Sequence, residues 1–328
     1  MQILKTIARR LLNAIVLLLA VVVLNFLLIH LAPGDPAEVI AGEMGGATQE
    51  MLESIRATYG LDQPVYVQLA VYLGRIVRGD FGQSFFYNAP VTDLILDRLW
   101  PTILLVMTSL VMAVIFGTLF GVIAARKPDG LFSGFVTIFA LTGYAMPVFW
   151  TGLMLIILLA SWYPIFPVAD MRDIMFEGGP IGRALDVAHH LVLPSFTLAI
   201  IYLAQYSRLA RASMLEVLEA DYIRTARAKG LSERVVVGKH ALRNAILPVV
   251  TVAGLQFGSL LSGAVLVETV FNWPGLGTLA FDSILRRDFP TVLGILFFSA
   301  LLVIVANLVT DLSYQLIDPR IRIGSNEG

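Results

Sequence analysis

Cysteine is absent from all 328 residues, which excludes disulfides, thiolate metal sites and cysteine nucleophiles, and leaves the redox compartment unread. Charge is also scarce. Asp, Glu, Lys and Arg make up 14% of the chain, against roughly 25% in soluble domains. With a net charge of −1 the chain is suited to no polyanionic partner, so nucleic acid is not expected. Low-complexity segments and repeats of solenoid period are missing too. So is His-Glu-x-x-His. The one Gly-Lys pair, Gly238-Lys239, is followed by His240 and has Glu233 where a P-loop needs its first glycine. The chain is therefore expected to hydrolyse no ATP by a P-loop of its own. His189 and His190 are neighbours in an expected external loop, so their side chains diverge, and no cluster of carboxylates joins them; no metal site is expected there.

Apolar residues are abundant instead, at 57% of the chain. So much apolar surface exceeds what one water-soluble core can hide, and lipid is its natural solvent. A helix needs about 20 apolar residues to cross the hydrocarbon with its backbone satisfied internally. Six stretches qualify: 11–31, 101–125, 131–162, 191–205, 245–267 and 291–309. The fourth is short and needs 206–209 to complete it. The third is longer than one span requires and holds Pro147, which predicts a kink. The first follows a basic segment with Lys5, Arg9 and Arg10, yet its apolar run exceeds the roughly 7–15 residues of a secretory signal, so it reads as a retained helix.

Basic residues set the orientation. With the amino terminus inside, cytoplasmic segments hold 15 of the 23 Lys and Arg. The expected fold is all-α and polytopic, with six transmembrane helices and both termini cytoplasmic. Residues 33–100 form one sizeable external insertion. It opens on the turn Pro33-Gly34-Asp35-Pro36, then reads as an amphipathic helix over 48–59, capped by Thr48 with Glu50 and Glu53 at its positive end, and a second over 65–77. This predicts a small periplasmic subdomain. The centres of the six stretches carry no Asp, Glu, Lys or Arg, and His30 lies at an outer edge. An ion-coupled secondary transporter, the alternative reading, typically carries such groups at membrane depth.

The one long internal loop, 211–244, is the most basic part of the chain. Its centre, Asp221-Tyr222-Ile223-Arg224-Thr225-Ala226-Arg227-Ala228-Lys229-Gly230, predicts a short free-standing helix. Asp221 is suited to cap its start, Arg227 and Lys229 complement its carboxyl end, and Gly230 supplies a left-handed stop. Ala226 and Ala228 are small enough to admit another protein close to the backbone. A second helix over about 232–244 leads towards Pro248. A solvated basic loop obeying the positive-inside rule explains the charge but not the cap, the small residues and the stop. Elsewhere, Gly117 and Gly121, and Gly254, Gly258 and Ser262, form small faces for close helix packing, within this chain or against a partner. Trp162 and Trp273 fall at the outer boundary, where a lipid-interface anchor is the simple reading.

The segment Asp221–Gly230, followed by His240-Ala241-Leu242-Arg243-Asn244-Ala245-Ile246-Leu247-Pro248, resembles the EAA loop of binding-protein-dependent ABC importer permeases, and more narrowly the B-type subunit of dipeptide, oligopeptide and nickel importers. Further matches span the chain: Ala32-Pro33-Gly34-Asp35-Pro36, Gly79-Asp80-Phe81-Gly82, Tyr144-Ala145-Met146-Pro147-Val148-Phe149-Trp150, Phe271-Asn272-Trp273-Pro274-Gly275-Leu276-Gly277, Arg286-Arg287-Asp288-Phe289-Pro290 and Asp318-Pro319-Arg320. Arg224 stands where the general pattern has its glutamate, and Leu247-Pro248 lies farther from Gly230 than usual; both features fit the peptide branch.

The resemblance implies a type I importer permease fold in the bacterial inner membrane. Residues 1–100 would be a first helix with the periplasmic subdomain, 101–318 the transporter domain with its coupling loop 211–244, and 319–328 a cytoplasmic tail. It also implies partners: a second permease, two cytoplasmic ATPases that bind ATP and Mg, a periplasmic solute-binding protein, and membrane lipid. This chain would carry no cofactor. Asp221, Tyr222, Arg224, Thr225, Ala226, Arg227, Ala228, Lys229 and Gly230 would form the coupling helix, and Trp273, Pro274 and Gly275 an external gate or binding-protein contact. The solute would be a peptide, opine, glycoside, glutathione or nickel.

Overall fold

Helix dominates, because a backbone in lipid must bond within its own segment. The computed structural model describes residues 2–31, 35–41, 48–59, 61–84 and 86–317. In chain order the helices are α1 (Gln2–Leu31), α2 (Pro36–Ala41), α3 (Gln49–Tyr59) and α4 (Val65–Val77), then a hairpin of β1 (Gln83–Ser84) and β2 (Ala89–Pro90). There follow α5 (Val91–Arg126), α6 (Leu131–Ala145), α7 (Val148–Ile156), a π turn (Ile157–Trp162), α8 (Pro180–Leu218), α9 (Asp221–Ala228) and α10 (Glu233–Val235). A second π turn (Val236–Ala241) precedes α11 (Leu242–Ala245), α12 (Leu247–Leu255), α13 (Phe257–Val270), α14 (Leu276–Leu285) and α15 (Phe289–Ile317). The chain divides into two units, Met1–Pro101 with Pro274–Leu308, and Thr102–Trp273 with Val309–Gly328.

In the first unit α4 occupies the predicted 65–77, and Thr48 caps α3, its Oγ1 accepting from Met51 N at 3.3 Å. Asp35 accepts from Ala37 N at 2.9 Å and pairs with Arg56, whose guanidinium is the main cause holding the Asp35 carboxyl below its ordinary range. Residues 33–34 of the expected turn, and the Asp318-Pro319-Arg320 match, lie outside the described residues. Ala37, Ala41, Leu52, Ile55 and Leu293 bury one another in a small core. A second core joins Val91, Ile95, Leu276, Leu279 and Ile295. It requires Gly294, where a Cβ would stand 2.6 Å from Val91 Cγ1. Buried Asp288 ties the hairpin in, accepting from Ser84 Oγ at 2.5 Å and Thr291 Oγ1 at 2.7 Å.

In the second unit α8 is the central element, packed on by α6, α7, α11, α12 and α13. The small pair Gly117 and Gly121 serves packing within this chain. A Cβ at Gly117 would meet Tyr206 Cβ at 2.7 Å, and one at Gly121 would meet Ala210 Cβ at 2.7 Å. The face expected from Gly254, Gly258 and Ser262 is interrupted by the break at Gln256; Gly254 O accepts instead from Thr310 Oγ1 at 3.0 Å.

Among the described residues four helices are long and apolar enough to cross a membrane, or five when the bent pair of α6 with α7 and its π turn counts as one span. Six were expected. The shortfall is the first stretch, which contributes the shorter apolar helix Leu12–Leu28; the fifth is met in part by the span Glu233–Leu255, which ends at a break before the shorter helix Phe257–Val270. Pro248 lacks the N–H that would extend α11, so the helix restarts at Leu247, while Gln256 N bonds Ala253 O at 3.3 Å in a tighter turn. The kink expected at Pro147 is a 109° bend between α6 and α7. Span four is far longer than predicted: α8 runs 39 residues through Pro194 and takes in His189 and His190, which are therefore helical and not in a loop.

Candidate functional site

α9 begins where Ala220, in extended backbone (φ −66°, ψ 148°), turns into the helix. Asp221 is therefore not the cap but the first helical residue, where its charge still complements the positive helix end. Gly230 has a φ of 79°, the predicted left-handed stop. Around it Gly230 N bonds Arg227 O at 2.9 Å and Leu231 N reaches Ala226 O at 3.4 Å, the paired bonds of a Schellman cap. A Cβ at Gly230 would meet nothing within 4 Å, so its requirement for glycine is conformational rather than steric.

The helix has two faces. Ile223 is 0% exposed and Ala226 6%, and both bury into a core with Ala125, Met214, Val236, Val237, Ala241 and Ala245. This corrects the reading of Ala226 as a surface for another protein. Residues three apart share a helix face, and here that face is the inner one. Ala228 is the small residue that remains exposed, with Asp221, Tyr222, Arg224, Thr225, Arg227, Lys229 and Gly230. Two contacts fix the helix sideways. Asn244 Nδ2 donates to Tyr222 Oη at 2.8 Å, and Arg227 Nε donates to Glu233 Oε1 at 2.8 Å. That bond from Arg227 is the main cause holding the Glu233 carboxyl below its ordinary range. The Arg224–Asp221 pair, 3.6 Å apart and exposed, contributes little. The expected helix over 232–244 contains the π turn Val236–Ala241, whose wider winding keeps Val237, Ala241 and Ala245 on the buried side.

The expected external residues divide differently. Trp273 is fully buried, which removes the lipid-anchor reading for it, whereas Trp162 is largely exposed. Trp273 N donates to Glu268 O at 2.8 Å. The Glu268 side chain, itself fully buried, accepts from Thr102 Oγ1 at 2.6 Å. Beside them Asp170 N donates to Phe271 O at 2.9 Å and Asn272 Nδ2 to Asp170 Oδ1 at 2.5 Å; Asp170 and Asn272 both have positive φ. Gly275, in extended backbone, starts α14, its carbonyl accepting from Leu279 N at 3.1 Å, and Pro274 precedes it. The sequence reading missed Glu268, since its fifth stretch ended one residue earlier. The signal available was the lone carboxylate in Val265-Leu266-Val267-Glu268-Thr269-Val270. His190 Nδ1 lies 3.2 Å from Asp186 Oδ1 and His189 Nε2 2.8 Å from Ile165 O, so each imidazole has a neighbour in its own fold.

Residues 117–323 match the family described as binding-protein-dependent transport system inner membrane component, and residues 3–108 its N-terminal membrane-component family. The chain is 42% identical over 316 residues to the oligopeptide transport system permease protein AppB of Bacillus subtilis (strain 168), covering 96% of this chain and 98% of that one. It is 45% identical over 321 residues to the glutathione transport system permease protein GsiC of Escherichia coli (strain K12), covering 96% and 97%. In fold it is similar to a chain of the MetNI methionine ABC transporter in inward facing conformations, with a TM-score of 0.53, 16% sequence identity, and coverage of 69% of this chain and 96% of that one.

Proposed function

The chain belongs to the family of binding-protein-dependent transport system inner membrane components, a helical polytopic permease, and on that premise we propose that it forms half of an importer's pathway for a peptide or a related small solute. The two relatives named above move an oligopeptide and glutathione, both built from amide-linked residues, which supports a peptide over nickel or a glycoside. In this reading both termini are cytoplasmic and the membrane is crossed six times, with α1 completing the set and α11 to α13 acting as one broken span. Residues 35–90 then lie outside.

The observation that carries the mechanism is the division of α9. One face is embedded in its own core and the other is presented outward on a rigid, Schellman-capped base. A helix held this way moves as part of the body beneath it, so a partner gripping its outer face moves α8 and the spans that pack on it. The partner is one of two cytoplasmic ATPases, which bind ATP and Mg; this chain supplies no cofactor of its own. A second permease completes the pathway, and a periplasmic solute-binding protein delivers to it.

Enlarging the outer face tests this. Ala228→Trp in the reconstituted complex is expected to leave expression and thermal stability unchanged while abolishing solute-stimulated ATP hydrolysis and uptake together. Normal uptake by that variant would overturn the assignment of α9.

A further inference from the structure

Beside α9, within the second unit, lies a cavity of about 600 Å³ that the transport mechanism does not use. Arg126 and Lys127 line it at the end of α5, and Leu131 and Phe132 at the start of α6. Arg227 and Glu233 close the α9 side. The last two are bonded to each other, and Arg126 lies near enough to Glu233 to add to the lowering of its carboxyl, whereas among the described residues the side chains of Arg126 and Lys127 make no hydrogen bond. The polar end of the cavity therefore carries an excess of two positive charges. The backbone adds to it. Gly130 precedes α6 with no side-chain cap among the described residues, so the first N–H groups of α6 lie at the cavity without helical partners.

The other wall is apolar and open. Leu131 is 97% exposed, and it begins a stripe of exposed apolar residues on α6 that continues through Phe135 and Ile138. Such a stripe at helical spacing, in a chain of this family, faces acyl chains. The cavity thus joins a cationic, N–H-rich end to a hydrocarbon-facing wall, the two-part surface that an amphiphile with an anionic head fills. We propose that this cavity binds an anionic phospholipid of the inner leaflet, its phosphate between Arg126 and Lys127 and an acyl chain along Leu131 and Phe132. The placement in that leaflet rests on the orientation given under the proposed function. A free phosphate shares the head-group chemistry but has nothing to place on the apolar wall.

The lipid would sit against Arg227, on the flank of α9 next to its buried face. It would brace the base of the helix without covering Ala228 on the outer face.

Two measurements on the intact importer complex test the site, neither of which depends on transport. The first is native mass spectrometry of lipid retained from membranes that contain phosphatidylglycerol and phosphatidylcholine. Retention of phosphatidylglycerol is expected, and the Arg126→Gln, Lys127→Gln double variant should hold it about 30-fold more weakly, from the attraction per basic residue. Equal retention by the double variant would overturn the proposal, as would displacement of the lipid by excess inorganic phosphate. The second keeps both cations, so that inserting the chain is not at risk. Phe132→Trp fluorescence should be quenched by brominated phosphatidylglycerol well beyond brominated phosphatidylcholine at equal mole fraction. Equal quenching by the two would mean that Phe132 faces bulk lipid only, and the site would be withdrawn. If α9 lies on the outer face instead, quenching would follow the lipid composition of the outer leaflet in asymmetric vesicles, which separates a failure of orientation from a failure of the site.

Discussion

Two short segments of the same unit, α9 and the turn 268–273, are held by opposite means. The ends of α9 are set by neighbours in sequence. Its Schellman bonds, its glycine stop and its ion pair to Glu233 all lie within a dozen residues, and its outer face stays in solvent. The turn is built from distant parts. Glu268 accepts from Thr102, 166 positions away, Asn272 donates to Asp170, 102 positions away, and Glu268 and Trp273 are fully buried. The difference teaches where each segment is vulnerable: α9 to changes in its own few residues, the turn to the loss of a partner elsewhere in the chain.

The largest effect is expected at the turn. Glu268→Ala removes the buried acceptor of the Thr102 hydroxyl and opens a void. Together these cost about 3 kcal/mol or more, and a marked drop in thermal stability and in folded yield should follow. Glu268→Gln, which keeps the acceptor and nearly the same volume, should recover most of it. If both variants melt with the wild type, the turn is not held as described.

Gly230→Val comes next. A β-branched residue at φ 79° is strained by roughly 1–3 kcal/mol. Since nothing crowds that position, the strain should unwind the end of α9 while the spans fold normally. Proteolysis at 228–232 should rise and stimulated ATP hydrolysis should fall, with insertion unchanged. Equal protease resistance would break the link between the glycine and the helix stop.

These two segments also mark what a sequence reveals. α9, α3 and α4 were legible to within a residue or so, because their stops, caps and periodicity are local. Gly230 and Thr48 occupy the roles their chemistry predicts. The inner and outer faces of α9 were not legible. With alanines two apart, spacing alone leaves open whether Ala226 or Ala228 faces the core, and the partners that decide it, Ala125 and Met214, come from other helices. Glu268 was passed over for the same reason, since a carboxylate at the end of an apolar run reads as the start of a loop until its distant donor, Thr102, is known. Glu233 lies beyond the Gly230 stop, yet it is bonded to Arg227.

The smallest effect belongs to that bond. Glu233→Lys should slightly loosen α9, seen as modestly faster hydrogen exchange at 221–229, because exposed ion pairs are weak and screened. The pH dependence has a definite sign. Arg227 depresses the folded-state pKa of Glu233 below 4.5, so the contribution is complete above the ordinary glutamate range. It fades only as pH falls through the depressed value. Exchange at α9 should therefore be flat from neutral pH down to that range after correction for intrinsic rates. A change centred near neutral pH would show that another group governs this flank.

The bend at Met146-Pro147 has a consequence of reach. α6 has 15 residues, and α7 with its π turn another 15. Each limb extends at most about 22 Å, short of the roughly 30 Å of hydrocarbon. Set at 109°, neither limb can cross alone, and the elbow carries helix-end carbonyl and amide groups that lipid cannot satisfy. It must be roofed by protein or by water. α8 supplies part of that roof. A Cβ added at Gly143, before the elbow, would stand 3.4 Å from Ile200, and one at Gly152, after it, 3.3 Å from Thr197. The two glycines let both limbs lie flush on one turn of α8, so whatever tilts α8 lifts the elbow with it as a single bracket.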